Sequence, residues 1–324
     1  LRLDGFIVPL NDEYHGEYVP RRAQRLSWLT GFTGSAGVAL VLADKAAFFT
    51  DGRYTLQARE QVEGELFSFH HVVEEPPHEW LGRNLGPGKR FGYDPWLHTL
   101  DGVGRLRQAC ADAGSELVAV ERNPVDAVWP DQPPAPISPV RPLAITYTGE
   151  AAADKRSRIA HDLVAAAATA AVLTLPESIA WLLNIRGGDV PHTPLPLSFA
   201  VVKADGAVTL FIDRRKLMPG LDRHLGNQVT IEPPDRLGAA LDALAREGSI
   251  QVDPASAASW VFDRLAASGA QIHRDADPCL LPKACKNPVE IAGTRAAHLR
   301  DGVAVTRFLA WLAGEAPKGG LREI

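Results

Sequence analysis

The stretch FFTDGRYTLQARE, Phe48 to Glu60, runs an apolar segment into Asp51-Gly52 and follows it at once with Arg53. A guanidinium at the mouth of a buried strand is a planar fork of donors suited to a carboxylate or a carbonyl, and strand mouths are where α/β proteins keep ligands. A charge-assisted contact of that kind contributes about 1.5–3 kcal/mol. The same residue also reads as a structural ion pair with Asp51 or Glu60. The residues alone leave both readings open.

Three other groups invite chemistry. His70, His71, Glu74, Glu75 and His78 in HHVVEEPPHEW carry zinc-binding side chains. Their spacing matches no zinc pattern, and Pro76-Pro77 blocks a helix that would present ligands at i and i+4, so a solvated loop is expected. GFTGSAG, Gly31 to Gly37, could cradle a phosphate. It lacks both G-x-x-x-x-G-K-[ST] and G-x-G-x-x-G and leads into strands, which favours a structural turn. Cys110 lies among apolar helix residues with no arranged His and Asp, the setting of an inert buried thiol. Neither half contains a nucleophile with an orienting base, or an acid and base paired with metal ligands.

The elements that must position these residues can be read from apolar patterning. Strands are expected over Gly5–Leu10, Val38–Ala43, Ala46–Thr50, Arg90–Tyr93 and Glu116–Val120, with Asp44-Lys45 as a tight hairpin. Helical segments are expected at Arg25–Leu29, Tyr54–Val62 and Gly102–Ala113. The proline-rich stretch Val128 to Pro142 excludes a helix or an interior strand and marks a domain boundary. Beyond it, helix Lys155–Ala171 and a strand ending at Leu175 lead to a second run of the same parts. Trp181 to Gly187 echoes Trp28 to Gly34, and Phe211-Ile212-Asp213-Arg214 echoes Phe49 to Arg53. Trp28 and Trp181 are expected as core or interface anchors. Each copy reads strand, short helix with Trp, glycine loop, hairpin, Asp-Arg, so two related α/β domains are expected rather than a solenoid. The second copy continues with helices Arg236–Glu247 and Ala255–Ala267 around a strand Ser249–Val252. A long amphipathic helix with Val303, Phe308, Leu309 and Leu312 on its apolar stripe closes the chain, which reads as cut.

Size and composition agree. The 324 residues suit about two domains, with 46% hydrophobic and 23% charged residues. A net charge of -5 without a basic block argues against nucleic acid or an anionic membrane as partner. Three cysteines with no metal spacing suit a reducing compartment, so a cytoplasmic location is expected. No run approaches a membrane helix, and the start shows no signal-peptide order.

GFTGSAG, FFTDGRYTLQA, IAWLLNIRGGDVPHTPLPLSFAVV and the terminal KNPVEIAGTRAAHLRDGVAVTRFLAWL with PKGG resemble, in that order, the three-domain Xaa-Pro aminopeptidases of the creatinase/prolidase-like M24 metallopeptidases. The resemblance implies two creatinase-type N-terminal domains, 1–142 and 143–286, each a mixed sheet flanked by helices. It implies a third segment, 287–324, that begins a pita-bread catalytic domain. It further implies removal of an N-terminal residue ahead of proline, by water held between two metal ions, usually manganese. The five metal ligands of the family belong to the catalytic domain, so no catalytic residue and no metal ligand is assigned here. No metal is expected on the 324 residues, and no peptidase activity. By position, Arg53 resembles a substrate-contacting residue, with Asp189 and His192 of the Arg186–Pro194 block as weaker counterparts near the cleft. The implied partners are a peptide with proline in second position and, for the longer enzyme, a second subunit. Prolidase or creatinase, and a non-catalytic interaction module of the same fold, are the competing readings.

Overall fold

The computed structural model describes residues 2–322, so Leu1 at the start of the first expected domain and Glu323–Ile324 at the end of the last lie outside the described residues. Strands β1 (Gly5–Pro9), β2 (Val38–Leu42), β3 (Ala46–Thr50), β4 (Phe67–His71), β5 (Arg90–Tyr93) and β6 (Glu116–Ala119) form one sheet in the order β4-β3-β2-β1-β5-β6. The second half supplies β7 (Arg141–Pro142), β8 (Ala170–Leu173), β9 (Ile185–Arg186), β10 (Phe199–Lys203), β11 (Val208–Phe211), β12 (Val229–Glu232), β13 (Ser249–Val252) and β14 (Gln271–Arg274). Six of these make a sheet in the order β12-β11-β10-β8-β13-β14, while β7 and β9 pair separately. The two large sheets have one topology. In each, the first three strands are antiparallel neighbours, and the remaining pairs are parallel. The duplication read from the sequence is therefore a duplication of architecture.

Side-chain alternation along β3 explains the double aromatic in FFTDGR. Phe49 enters a core with Ile7, Leu40, Phe91 and Trp80, while Phe48 faces the other side and packs with Val8, Phe32 and Ala58. Both phenylalanines are fully buried. A strand covered on both faces reads as a continuous apolar run, as Ala46 to Thr50 does. Helices Pro77–Asn84 and Leu100–Asp112 contribute to the first core, and helices Arg25–Thr30 and Thr55–Gln61 to the second.

Across the seam between the halves, Trp96 stacks on Trp260 at 4.0 Å and Tyr14 on Phe199 at 4.7 Å. Backbone and hydroxyl of Ser259 donate to the carbonyls of His98, at 2.7 Å, and Pro95, at 3.0 Å. His98 is buried there, and burial, reinforced by nearby His15, holds its imidazole down to about 3. Burial likewise lowers His15.

Four expectations need correction. HHVVEEPPHEW is not a solvated loop: His70 and His71 end β4, and Pro77 occupies the first turn of a helix, where its missing N–H costs nothing. His70 stacks on Phe49 at 5.0 Å and pairs with Glu75, which also holds Arg83. Edge strands β4, β12 and β14 escaped the pattern because they are short and carry polar residues, as FSFHH, VTIE and QIHR show. Trp181 lies in the core as expected and Trp28 stacks on Trp129, but the helix expected over Lys155–Ala171 runs Ala152–Ala165 instead: Ala167, at φ 54°, turns the chain, and Ala170 and Ala171 open β8. The terminal helix, Pro288–Glu315, starts on a capping box between Asn287 and Glu290 but is not amphipathic. Its exposed Val303, Val305, Phe308 and Trp311 are spread around the circumference by the 3.6-residue turn.

Candidate functional site: a cleft between two equivalent loops

In each half, a helix is followed by a loop that leads to the second strand of the sheet. In the first half this is the glycine loop, 31–37. Gly31 caps helix Arg25–Thr30 with φ 78°, a left-handed conformation that suits glycine. At Gly34, a Cβ would stand 2.3 Å from the Phe32 ring and 2.8 Å from the Tyr54 ring, so only glycine fits. Thr33 is held from below: its N–H donates to Gln61 Oε1 at 2.9 Å. These close approaches, rather than an anion, account for the glycines.

In the second half the equivalent loop runs from Gly187 to Ser198. Asp189 lies beneath it with a fully buried side chain. Its carboxylate accepts from Lys216 Nζ at 2.7 Å, from Leu197 N–H at 2.7 Å and from Ser138 N–H at 3.2 Å. Asp189 therefore holds the loop from inside and does not face the cleft. His192, at the loop tip, has φ 60°, a conformation a non-glycine residue adopts at some cost and one that concentrates at functional sites.

Between the two loops lies a cleft of about 590 Å³, lined by Phe32, Thr33 and Ser35 on one side and Val190, Pro191 and His192 on the other, with Glu17 and Tyr18 at its rim. The sequence singled out both loops, but nothing in it showed that they face each other. Glu17 and Tyr18 carried no motif and went unread. A size of this order suits a small ligand or a short length of peptide.

Arg53 stands just outside the lining. Its Nε lies 3.1 Å from Asp51 Oδ1 and its Nη2 2.7 Å from Asp51 Oδ2, while its own N–H donates to Oδ1 at 3.0 Å. This hydrogen-bonded pairing lowers Asp51 below the usual carboxylate range and raises Arg53. The structural ion pair is thus formed, yet the Arg53 side chain remains 66% exposed, with its guanidinium 5.0 Å over the Tyr54 ring. Glu17 is near enough to act on its charge. Tyr54 OH in turn lies 2.6 Å from Ser35 Oγ in the glycine loop.

The second half repeats the clamp one residue later than the sequence echo suggested. Arg215, not Arg214, is the counterpart of Arg53: its Nε lies 3.0 Å from Asp213 Oδ1 and its Nη2 2.6 Å from Oδ2. Asp213 is consequently held down to about 2. Arg214 takes the place of Gly52 and donates to the Ile231 carbonyl at 3.0 Å.

Among the described residues no group of three or more His, Cys, Asp or Glu is placed to hold a metal ion. Cys110 and Cys279 are buried thiols, and burial raises Cys110 to about 11, which keeps it protonated and unreactive. No helix among the described residues is long and apolar enough to cross a membrane.

Two family models described as the creatinase/prolidase N-terminal domain match the chain, one over residues 1–127 and the other over 131–290. Among curated proteins, a "Probable Xaa-Pro aminopeptidase P" of Aspergillus flavus is 36% identical over 324 aligned residues, covering 97% of this chain and 49% of that protein. "Aminopeptidase P1" of Lotus japonicus is 33% identical and covers 96% of this chain and 53% of its own. Among solved structures, the X-prolyl aminopeptidase of Caenorhabditis elegans, described as a cytosolic enzyme with a di-nuclear active site, superposes with a TM-score of 0.91 at 30% identity, over 98% of this chain and 53% of that one. The chain spans about half the length of the curated relatives it matches.

Proposed function

Since the chain belongs to the creatinase/prolidase N-terminal-domain family and carries two tandem copies of that domain, we propose that it forms the first half of an Xaa-Pro aminopeptidase of the aminopeptidase P type. The observation that carries this reading is the match of both copies, in order and over nearly the whole chain, to relatives of that name and to one solved enzyme. In this reading 1–142 and 143–286 are the two domains, and 287–324 leads into the catalytic part. The activity is removal of the first residue from peptides with proline second, in the cytoplasm and in a homodimer.

The chemistry of such an enzyme is supplied by two metal ions that activate a bridging water and polarise the scissile carbonyl. The di-nuclear description of the Caenorhabditis elegans enzyme supports two ions, for which we propose manganese. The described residues do not fit that role, because their carboxylates and imidazoles do not converge. Their part is to receive and orient the peptide. Arg53 presents the free edge of its clamped guanidinium to a peptide carbonyl or carboxylate, and His192 faces the same chain from the opposite loop. Asp189 keeps His192 in place from beneath.

The test is metal-dependent turnover. The 324-residue polypeptide with Mn²⁺ and an Xaa-Pro-Pro peptide should release no N-terminal residue, and the polypeptide extended to its relatives' length should release it and lose that ability with a chelator. Turnover by the shorter polypeptide, or metal-independent turnover by the longer one, contradicts this reading.

A further inference from the structure

Both walls of the cleft are fastened by the residue that follows an Asp-x-Arg clamp. In the first half the clamp is Asp51-Gly52-Arg53 and the next residue, Tyr54, reaches Ser35 of the glycine loop at 2.6 Å. In the second half the clamp is Asp213-Arg214-Arg215 and the next residue, Lys216, reaches Asp189 beneath the equivalent loop at 2.7 Å and the Leu197 carbonyl at 3.1 Å. The clamp fixes the backbone at the end of the hairpin strand, so the side chain after it leaves from a set position in both domains. What differs is the setting. Lys216 and Asp189 are buried, 5% and 0% exposed, whereas the bond from Tyr54 to Ser35 lies at the surface.

We propose that Tyr54 and Lys216 are paired positioning residues that set the width of the cleft from its two sides, Lys216 as a fixed anchor and Tyr54 as a releasable one. The Tyr54 ring supports this with its second and third contacts. It meets Phe32 edge-on at 5.7 Å, fills the space a side chain at Gly34 would need, and carries the Arg53 guanidinium on its face. Breaking the hydroxyl contact loosens the glycine loop at Ser35 without disturbing the core, while Gln61 still holds Thr33 and the Thr50 hydroxyl still donates to the Ala36 carbonyl. A peptide entering between Ser35 and His192 would therefore find one yielding wall and one rigid wall. The inference rests on the reading of the cleft as a peptide site.

Tyr54→Phe removes the hydroxyl and keeps the ring. In the 324-residue polypeptide, amide exchange in residues 32–36 should quicken about three- to tenfold, the worth of one surface hydrogen bond, while residues 190–193 are unchanged. In the extended polypeptide the same variant should raise KM by a similar factor with kcat altered about twofold at most, since loop positioning acts on binding. Ser35→Ala should reproduce both effects, and the double variant should be no worse than either single one. Unaltered exchange at 32–36, equal quickening in both loops, additive losses, or an unmoved KM would each overturn the proposal. Absence of Xaa-Pro turnover in the unmodified extended polypeptide would instead sink the functional reading, and the exchange results would still decide the anchoring.

Discussion

Arg53 and Arg215 grip the carboxylates two residues before them in the same way, so the clamp itself explains neither residue's exposure nor any ligand. What separates them is surroundings. Arg53 feels the charge of Glu17 on the cleft rim and rides on Tyr54, which joins the glycine loop; Arg215 has neither neighbour. In the polypeptide of the relatives' length, Arg53→Ala is expected to lower kcat/KM about tenfold, the loss of one charge-assisted contact, with the melting temperature nearly unmoved. Arg215→Ala removes an equivalent clamp, but the buried bonds of Lys216 to Asp189 and to the Leu197 carbonyl remain, so kcat/KM should fall by about twofold at most. Kinetics and melting curves on the two variants decide the matter: a fall in melting temperature with unchanged kcat/KM for Arg53→Ala returns that residue to a purely structural role.

At the scale of elements, the buried pair of Lys216 and Asp189 is what makes the second loop rigid. Lys216→Met strands a carboxylate that still accepts two backbone N–H groups, and unfolding experiments should show a loss of about 3–5 kcal/mol. The double replacement by Met and Leu should recover part of that loss, because no uncompensated charge remains. The seam between domains carries a pH dependence of known sign. His98 titrates near 6.5 when unfolded and is held to about 3 in the fold, so its contribution is complete above 6.5 and is lost as pH falls below it. Asp12, raised to about 7 by burial, works in the opposite direction over the acid range, so the comparison must be made between variants. His98→Asn should therefore gain stability relative to the unmodified protein as pH falls from 7 to 5, by on the order of 2 kcal/mol read from melting curves of the two. An unchanged profile would place the acid sensitivity elsewhere.

Much of this element level was legible in the sequence. The central strands announced themselves because both faces of β1, β3 and β8 are covered, which leaves continuous apolar runs. Of the four edge strands only β6 did, since a partner on one side only permits residues such as His70 in β4, Thr230 in β12 and His273 in β14. Arg53, the glycine loop and His192 were singled out from residue type and resemblance. Their arrangement was not legible: Thr33 and His192 meet across one cleft only because the two domains dock through Trp96, Trp260, Tyr14 and Phe199. A one-residue slip in the internal echo, Arg214 for Arg215, shows the same limit, because hydrogen-bond geometry fixes which arginine closes the clamp.

For the whole molecule, two sheets of one topology present one loop each to a shared cleft, and a helix whose apolar and charged residues are mixed around its circumference leaves the second domain. Asn287 ties that helix back, donating to the Thr148 carbonyl at 2.7 Å, before Leu299, Phe308 and Trp311 stand exposed. The relatives that the chain matches are about twice its length. The central claim is that this architecture serves cleavage ahead of proline. Its most direct test is the ratio of kcat/KM for an Xaa-Pro-Xaa peptide over its Xaa-Ala-Xaa analogue, measured on the polypeptide of the relatives' length. A preference for proline of about a hundredfold or more is the predicted result, and equal turnover of the two peptides, or none of either, would contradict it.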